Sequence, residues 1–383
     1  MMYNMKNGTL SVRVICAVLF LIFTFLYLFE YQADILSVTQ HVLSKGQTHY
    51  NQVVGAILIT LVLWLVQGVA YAITKLNGLF HAITFFPSLL LLGILTDVTP
   101  DIVHESYLGH WLWGFPLLML IFAVGVWLCR QYEMIHAQDH NTNIVHTLWA
   151  NVLILVVLML MTCGIGCTDK TFHYRMKLEN ALLTHHPGMV TTVGITEHKT
   201  DSSLTFLRIW CLSKTRELGE SLFEYPLTGG SEAMLPNGSS VRMMMIPEQD
   251  LYKDLGVVFT KKMSPTDYLT TLHRIGRATP LAHDWLLCAY LLDGDLDRFV
   301  EALPKYYEIT DKLPKHYKEA LILYTHLKSH PHLVYHDEVM DANFEDYQEL
   351  RRKAPNPQLR YSVARDNYGK TYWFYYHHHA PKK

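Results

Sequence analysis

The chain has 383 residues, of which 50% are apolar and 17% charged, and its formal net charge is −2. Residues 1–167 carry only 12 charged side chains, whereas residues 168–383 carry 54, split evenly between the two signs. A first half so poor in charge excludes a single water-soluble globule, and the balanced remainder excludes a nucleic-acid binder, which needs a basic face to displace counterions.

A bilayer core of about 30 Å requires about 20 mostly apolar residues in a helix. Five stretches meet that length, at residues 12–29, 53–73, 79–95, 108–128 and 144–166. Helix is expected for each, because it pairs every backbone polar group inside lipid. The first stretch, VRVICAVLFLIFTFLYLF, follows Lys6 and Arg13 as a secretory signal does. Its apolar run is too long for one and no small-residue cleavage site follows, so it reads as an uncleaved span. The third stretch is the weakest, being short and carrying His81 and Pro87.

Lysine and arginine in short loops set the orientation, because cytoplasmic loops hold the excess. With the N-terminus inside, the inner loops hold Lys6, Arg13, Lys75 and Arg130, and the outer loops hold only Lys45. That order places residues 168–383 outside the cytoplasm. Polar residues within the spans are few: His81, His110, His146, Gln67 and Asn151. No carboxylate pair sits at mid-depth, so hydrogen bonding between helices or at the interface is expected of them rather than an ion relay. The absence of an internal repeat fits poorly with an inverted-repeat transporter.

After residue 167 the periodicity becomes that of amphipathic helices. Helices are predicted at 171–186 and 202–218, and a long connection with a short helix inside it at 226–264. Paired helices follow at 280–292 and 296–307, around the turn Asp293-Gly294-Asp295, with further helices at 315–329 and 344–353. This is the order of a helical hairpin array, and AYLLDGDLDRFVEALP at 289–304 resembles a degenerate tetratricopeptide repeat. The fold expected is therefore all-α: a five-helix transmembrane bundle over 1–167, then a tetratricopeptide-like domain over 168–383. The final segment, 361–376, ends in Tyr372, Trp373, Phe374, Tyr375 and Tyr376. These rings either close the repeat core or anchor a partner or the membrane interface.

Three features together, LSKTRELGESLFEYPLTGGSEAMLP at 212–236, the hairpins after it and the closing YGKTYWFYY, carry a resemblance. They resemble an uncharacterised family of bacterial multi-pass inner-membrane proteins with a C-terminal tetratricopeptide-like domain. The resemblance implies a membrane domain followed by an extracytoplasmic repeat domain, and it carries over no catalytic residue. Arg216 stands at a turn where that family tends to have glycine.

Motifs for metalloprotease, serine hydrolase, phosphate-loop and dinucleotide chemistry are all missing from the sequence. Histidines cluster at His330, His332 and His336 beside Asp337, and again at His377, His378 and His379. A metal site needs a fixed first shell, and the loop-like setting favours solvated side chains, so no metal and no cofactor are expected. Asp293, Asp295 and Asp297 alternate as calcium ligands do, yet the remaining ligands are missing and a helix-capping turn explains them. Six cysteines stand at 16, 129, 163, 167, 211 and 288; Cys163 and Cys167 lack the redox spacing, and a Cys211–Cys288 bridge is an open possibility.

The expected function is a membrane-anchored interaction or scaffold protein whose helical-repeat domain binds an envelope protein, with the lipid bilayer as its other partner. The alternative is a membrane glycosyltransferase-like or other envelope polymer-handling enzyme. That reading uses the acidic outer loop, with Asp97, Asp101 and Glu105 as base or metal ligand.

Overall fold

The computed structural model describes residues 2–102, 109–135, 144–190, 193–195, 199–258, 263–353 and 356–381. Among these residues the fold is all-helical, with no strand. The chain divides into two compact units, Met1–Met176 and Lys177–Lys383.

Five helical segments of the first unit are long and apolar enough to cross a membrane: Leu10–Tyr31, Gln52–Thr74, Gly78–Thr96, Trp111–Ile135 and Ile144–Ile165. The third is the most enclosed, with 56% of its apolar window buried against 6% for the fourth. It opens as a 3-10 helix over Gly78–Phe85 and continues as an α-helix over Phe86–Thr96. At about 2.0 Å per residue for the first part and about 1.5 Å for the second, it rises about 32 Å, enough for the bilayer core.

A helix surrounded by other helices need not be apolar on every face, and this one uses its polar groups to hold its neighbours. Asn151 accepts from the Ala82 N–H at 2.7 Å and donates to the carbonyls of Gly78 and Thr147, both at 2.8 Å. Gln67 donates to Thr84 Oγ1 at 3.0 Å, and Ser88 donates to the Leu63 carbonyl at 2.7 Å.

The fourth segment is held mainly near its ends. Arg130 donates to the carbonyls of Ile73 and Thr74, both at 2.9 Å, where the second segment's helix ends and partial negative charge gathers. Near the other end Trp111 Nε1 donates to Asp97 Oδ2 at 2.7 Å. Between them, Phe122 stacks on Phe86 with ring centroids 5.3 Å apart. Arg13 lies over the Tyr71 ring and bonds to Asn77, so Arg13, Lys75 and Arg130 gather at one end of the bundle.

The opposite end is joined by a chain of donors. Gln32 donates to Tyr27 Oη at 3.2 Å and to the Cys167 carbonyl at 3.0 Å. Tyr27 Oη lies 3.1 Å from Thr96 Oγ1, whose own proton goes to the Leu92 carbonyl. Gly166 makes room for this junction, since a Cβ there would lie 2.6 Å from Thr96 Oγ1.

In the second unit, polar caps and prolines start the helices, at the predicted positions for Ser202–Thr215, Pro280–Leu292 and Leu296–Ala302, and at starts the sequence reading did not mark for Pro265–Arg274, Pro357–Tyr368 and Tyr372–His378. Asp201, Ser264, Thr279, Asp295, Asn356 and Thr371 each accept from a backbone N–H of the first turn of their helix. Proline occupies the first position of Pro265–Arg274, Pro280–Leu292 and Pro357–Tyr368. Trp285, Phe299, Tyr317, Tyr324, Tyr347 and Tyr372 fill the core.

The final segment departs from expectation. It is two helices, Pro357–Tyr368 and Tyr372–His378, because Thr371 caps a new start after Gly369. The connection 226–264 holds the 3-10 turn Gly230–Met234 and the helix Glu248–Leu255. Helix-borne side chains fix it in place: Asp293 accepts from Ser231, and buried Glu179 accepts from the N–H groups of Met244 and Met245.

Candidate binding cleft

The second unit contains a cleft of about 680 Å³, within the usual size of ligand sites. One wall is the stretch from Phe223 to Leu227, where the short 3-10 helix Leu222–Glu224 gives way to irregular chain, joined by Ile195 and Thr200. The other comes from Tyr361, Arg365 and the turn from Asn367 to Thr371, followed by Phe374, Tyr375 and His379.

Irregular backbone needs partners for its polar groups, and the first wall finds them on Arg208. This side chain, 2% exposed, projects from the middle of the helix Ser202–Thr215. It donates to the Pro226 carbonyl at 2.8 Å, to Thr200 Oγ1 at 3.2 Å and to the Gly194 carbonyl at 3.2 Å. Its guanidinium also lies over the Tyr225 ring, 5.2 Å from the centroid. A buried arginine is tolerated when its fork of donors is used in this way.

Three residues in the first turns of the helix Lys315–Leu327 connect both walls. Lys315 Nζ donates to Glu224 Oε1 at 2.7 Å and to the Lys370 carbonyl at 3.2 Å. The Phe223 N–H donates to His316 Nε2 at 3.3 Å. With Nε2 accepting, the ring proton sits on Nδ1 and goes to Glu319 Oε2 at 2.9 Å. The same carboxylate oxygen accepts from the Tyr372 N–H at 2.7 Å.

Charges along the cleft are partly compensated, Lys315 by Glu224 and Arg365 by Asp366. Burial pushes the Tyr225 hydroxyl up to about 12 against the pull of Arg208, and burial lowers His379 below the usual histidine value. At neutral pH the cleft therefore presents aromatic surface, protonated phenols and an uncharged imidazole. That is the chemistry of holding a polar or peptide-like segment by stacking and hydrogen bonds. The buried thiols suit no nucleophilic role, since burial lifts Cys211 to about 12 and Cys288 higher still. All six cysteines are free thiols.

The structure separates the five closing aromatics. Tyr372 and Trp373 are sealed in the core, where Tyr372 Oη donates to the Leu291 carbonyl and Trp373 Nε1 to the Glu319 carbonyl. Phe374 and Tyr375 line the cleft, and Tyr376 is half-buried. Of the acidic-loop residues, Asp97 accepts from Trp111 and lies 3.4 Å from His110, and Asp101 is exposed. Glu105 lies outside the described residues.

The two histidine clusters do not converge. His336 meets Asp341, His377 Nδ1 lies 3.2 Å from Tyr347 Oη, and His379 lines the cleft. Among the described residues no group of three or more His, Cys, Asp or Glu is placed to hold a metal ion. The alternating aspartates go to separate partners, Asp293 to Ser231, Asp295 to the cap of its own helix and Asp297 to Lys328.

Sequence reading missed Arg208, Lys315, His316 and Glu319. A signal was present in LTFLRIWCL, where a charge stands inside an apolar helical run, and in KHYKEA, where His and Glu share one face three residues apart.

A family model described as a family of unknown function, DUF6057, matches residues 258–379. The match fits the resemblance of the hairpins and closing aromatics to an uncharacterised family. It takes in Lys315 and the Tyr361–His379 wall of the cleft, while Arg208 and the Phe223–Leu227 wall precede it. No curated protein and no solved structure matches the chain.

Proposed function

We propose that this is a membrane-anchored scaffold of the bacterial inner membrane whose second unit, a tetratricopeptide-like domain on the periplasmic side, binds a protein partner of the envelope in the cleft. The observation that carries the reading is the cleft itself. A buried arginine and three polar residues of one helix hold its two walls, leaving aromatic and hydrogen-bonding groups along it. The five apolar segments supply the anchor.

The order of helices supports a repeat array. Pro280–Leu292 and Leu296–Ala302 are joined by a turn at Gly294 with φ of 67°, and Lys315–Leu327 and Glu338–Lys353 follow. Such stacks present concave surfaces suited to peptides and helices. The basic end formed by Arg13, Lys75 and Arg130 supports a cytoplasmic N-terminus.

Purification of the full chain from its own membranes in mild detergent tests the reading. A reproducible protein partner is expected with the native chain and is lost with Tyr361→Ala plus Lys370→Glu. Recovery of the chain alone would overturn it. No observation favours an enzyme at the acidic loop, where Asp97 already serves Trp111 and His110.

A further inference from the structure

Arg13, Lys75 and Arg130 come from three separate parts of the first unit and meet around residues 73–77. Arg130 donates through Nε and Nη2 to the carbonyls of Thr74 and Ile73, where the second apolar segment ends. Arg13 donates to Asn77 Oδ1, which also accepts from the Tyr71 hydroxyl at 3.1 Å. Asn77 Nδ2 in turn donates to the Lys75 carbonyl at 2.9 Å. One asparagine side chain thus holds Arg13 against the turn that carries Lys75.

What these cations lack is an anion. Every partner just named is neutral, and among the described residues no carboxylate lies within ion-pair distance of the three. Glu133, three residues after Arg130, is turned to the Asn77 N–H and offsets one charge of the three. Arg13 lies inside the apolar segment Leu10–Tyr31, at a depth where a charge without a counter-ion is costly. Among the described residues, Nη1 of each arginine and Nζ of Lys75 meet no hydrogen-bond partner.

We propose that this cluster seats the phosphate of an anionic phospholipid whose acyl chains run down between the second and fourth segments. The space beneath the cations fits chains. Gly68 and Gly125 stand five residues before Ile73 and Arg130, so both lie about 7.5 Å below the basic end. A Cβ built on either glycine meets nothing within 4 Å, so open surface begins at the same depth on both helices. The fourth segment, with 6% of its apolar window buried, leaves that surface open to lipid. An orientation signal needs only an excess of cations in the inner loops, not cations fixed on neutral partners at one point. Cations so fixed favour an anionic head over a zwitterionic one.

Native mass spectrometry of the full chain in detergent, titrated with equal amounts of phosphatidylglycerol and phosphatidylethanolamine, tests the seat. The native chain should retain the anionic lipid at least about fivefold over the zwitterionic one, the worth of a single cation near an anionic surface. Lys75→Gln removes a charge whose side chain holds nothing in the fold, so it should lower that preference about fivefold without unfolding the bundle. Asn77→Ala keeps every charge but unseats Arg13, and should also weaken the preference. Lys45→Gln, in the loop beyond the other end of the first segment, should leave it unchanged. No preference in the native chain, or an unchanged one in both Lys75→Gln and Asn77→Ala, would overturn the seat. An equal loss in Lys45→Gln would reduce it to general surface charge and overturn it as well. Excess inorganic phosphate should not displace the lipid; displacement would overturn the lipid as occupant in favour of a free anion.

Discussion

Gly219 lies so close to Tyr317 that a Cβ added to it would stand 2.7 Å from the ring Cζ and 3.0 Å from both Cε1 of the ring and Cβ of Pro314. The ring has no room to retreat, because it is fully buried and its hydroxyl donates to Asp284 at 2.8 Å. Gly219→Ala should therefore destabilise the second unit by about 1–3 kcal/mol, the usual cost of forcing atoms into a packed core. Chemical denaturation of the full chain in detergent checks this, and an unchanged midpoint would contradict it.

Arg216 closes the helix Ser202–Thr215 in the left-handed conformation, with φ of 61°. Its N–H reaches the Ser213 carbonyl and the next N–H reaches that of Leu212, so the turn is well made, but an exposed side chain is strained there. Arg216→Gly should stabilise the unit by about 0.5–1 kcal/mol, as relief of a left-handed residue generally does, offset in part by a more flexible unfolded chain. Loss of stability would mean that the arginine has a partner role instead.

Arg208→Met removes the donors for the carbonyls of Pro226 and Gly194 while keeping most of the volume. Each buried acceptor left without a donor costs about 1–3 kcal/mol, so the first wall should loosen before the helices do. Limited proteolysis should find new cleavage between residues 194 and 227 at a temperature where the hairpins remain intact. Unchanged proteolysis would remove Arg208 from its structural role.

These expectations show where the sequence was informative. The five apolar stretches were legible because lipid demands length and apolarity, and both are properties of a linear window. The third stretch looked weak for the same reason. A window cannot know that Asn151 and Gln67 from other segments will satisfy its polar backbone and side chains. The cleft was legible only in part. Phe374 and Tyr375 stood out as aromatic, but Arg208 and Glu319 act on chain that is 18 and 53 residues away, at Pro226 and Tyr372.

Acid should destabilise the second unit. Burial lowers His273 and His283 below the ordinary histidine value and takes His377, beside Arg351, to about 4. Folded rings that resist protonation leave the unfolded chain binding more protons, so stability is complete above the ordinary value of about 6.5 and is lost as pH falls below it. For His377 the loss continues down to about pH 4. Thermal unfolding of the full chain should shift to lower temperature between about pH 7 and about pH 5, and His377→Phe should reduce the slope. A flat profile would contradict the burial of these rings.

The central claim is that the cleft holds a protein partner at the membrane, and a photo-crosslinking residue in place of Tyr361 in intact cells tests it most directly. Tyr361 borders the cleft and is 36% exposed, whereas Val339, at 70%, provides a control position away from it. The account predicts a discrete protein adduct from position 361 that is absent from position 339. No adduct at 361, or the same adducts at both positions, would contradict it.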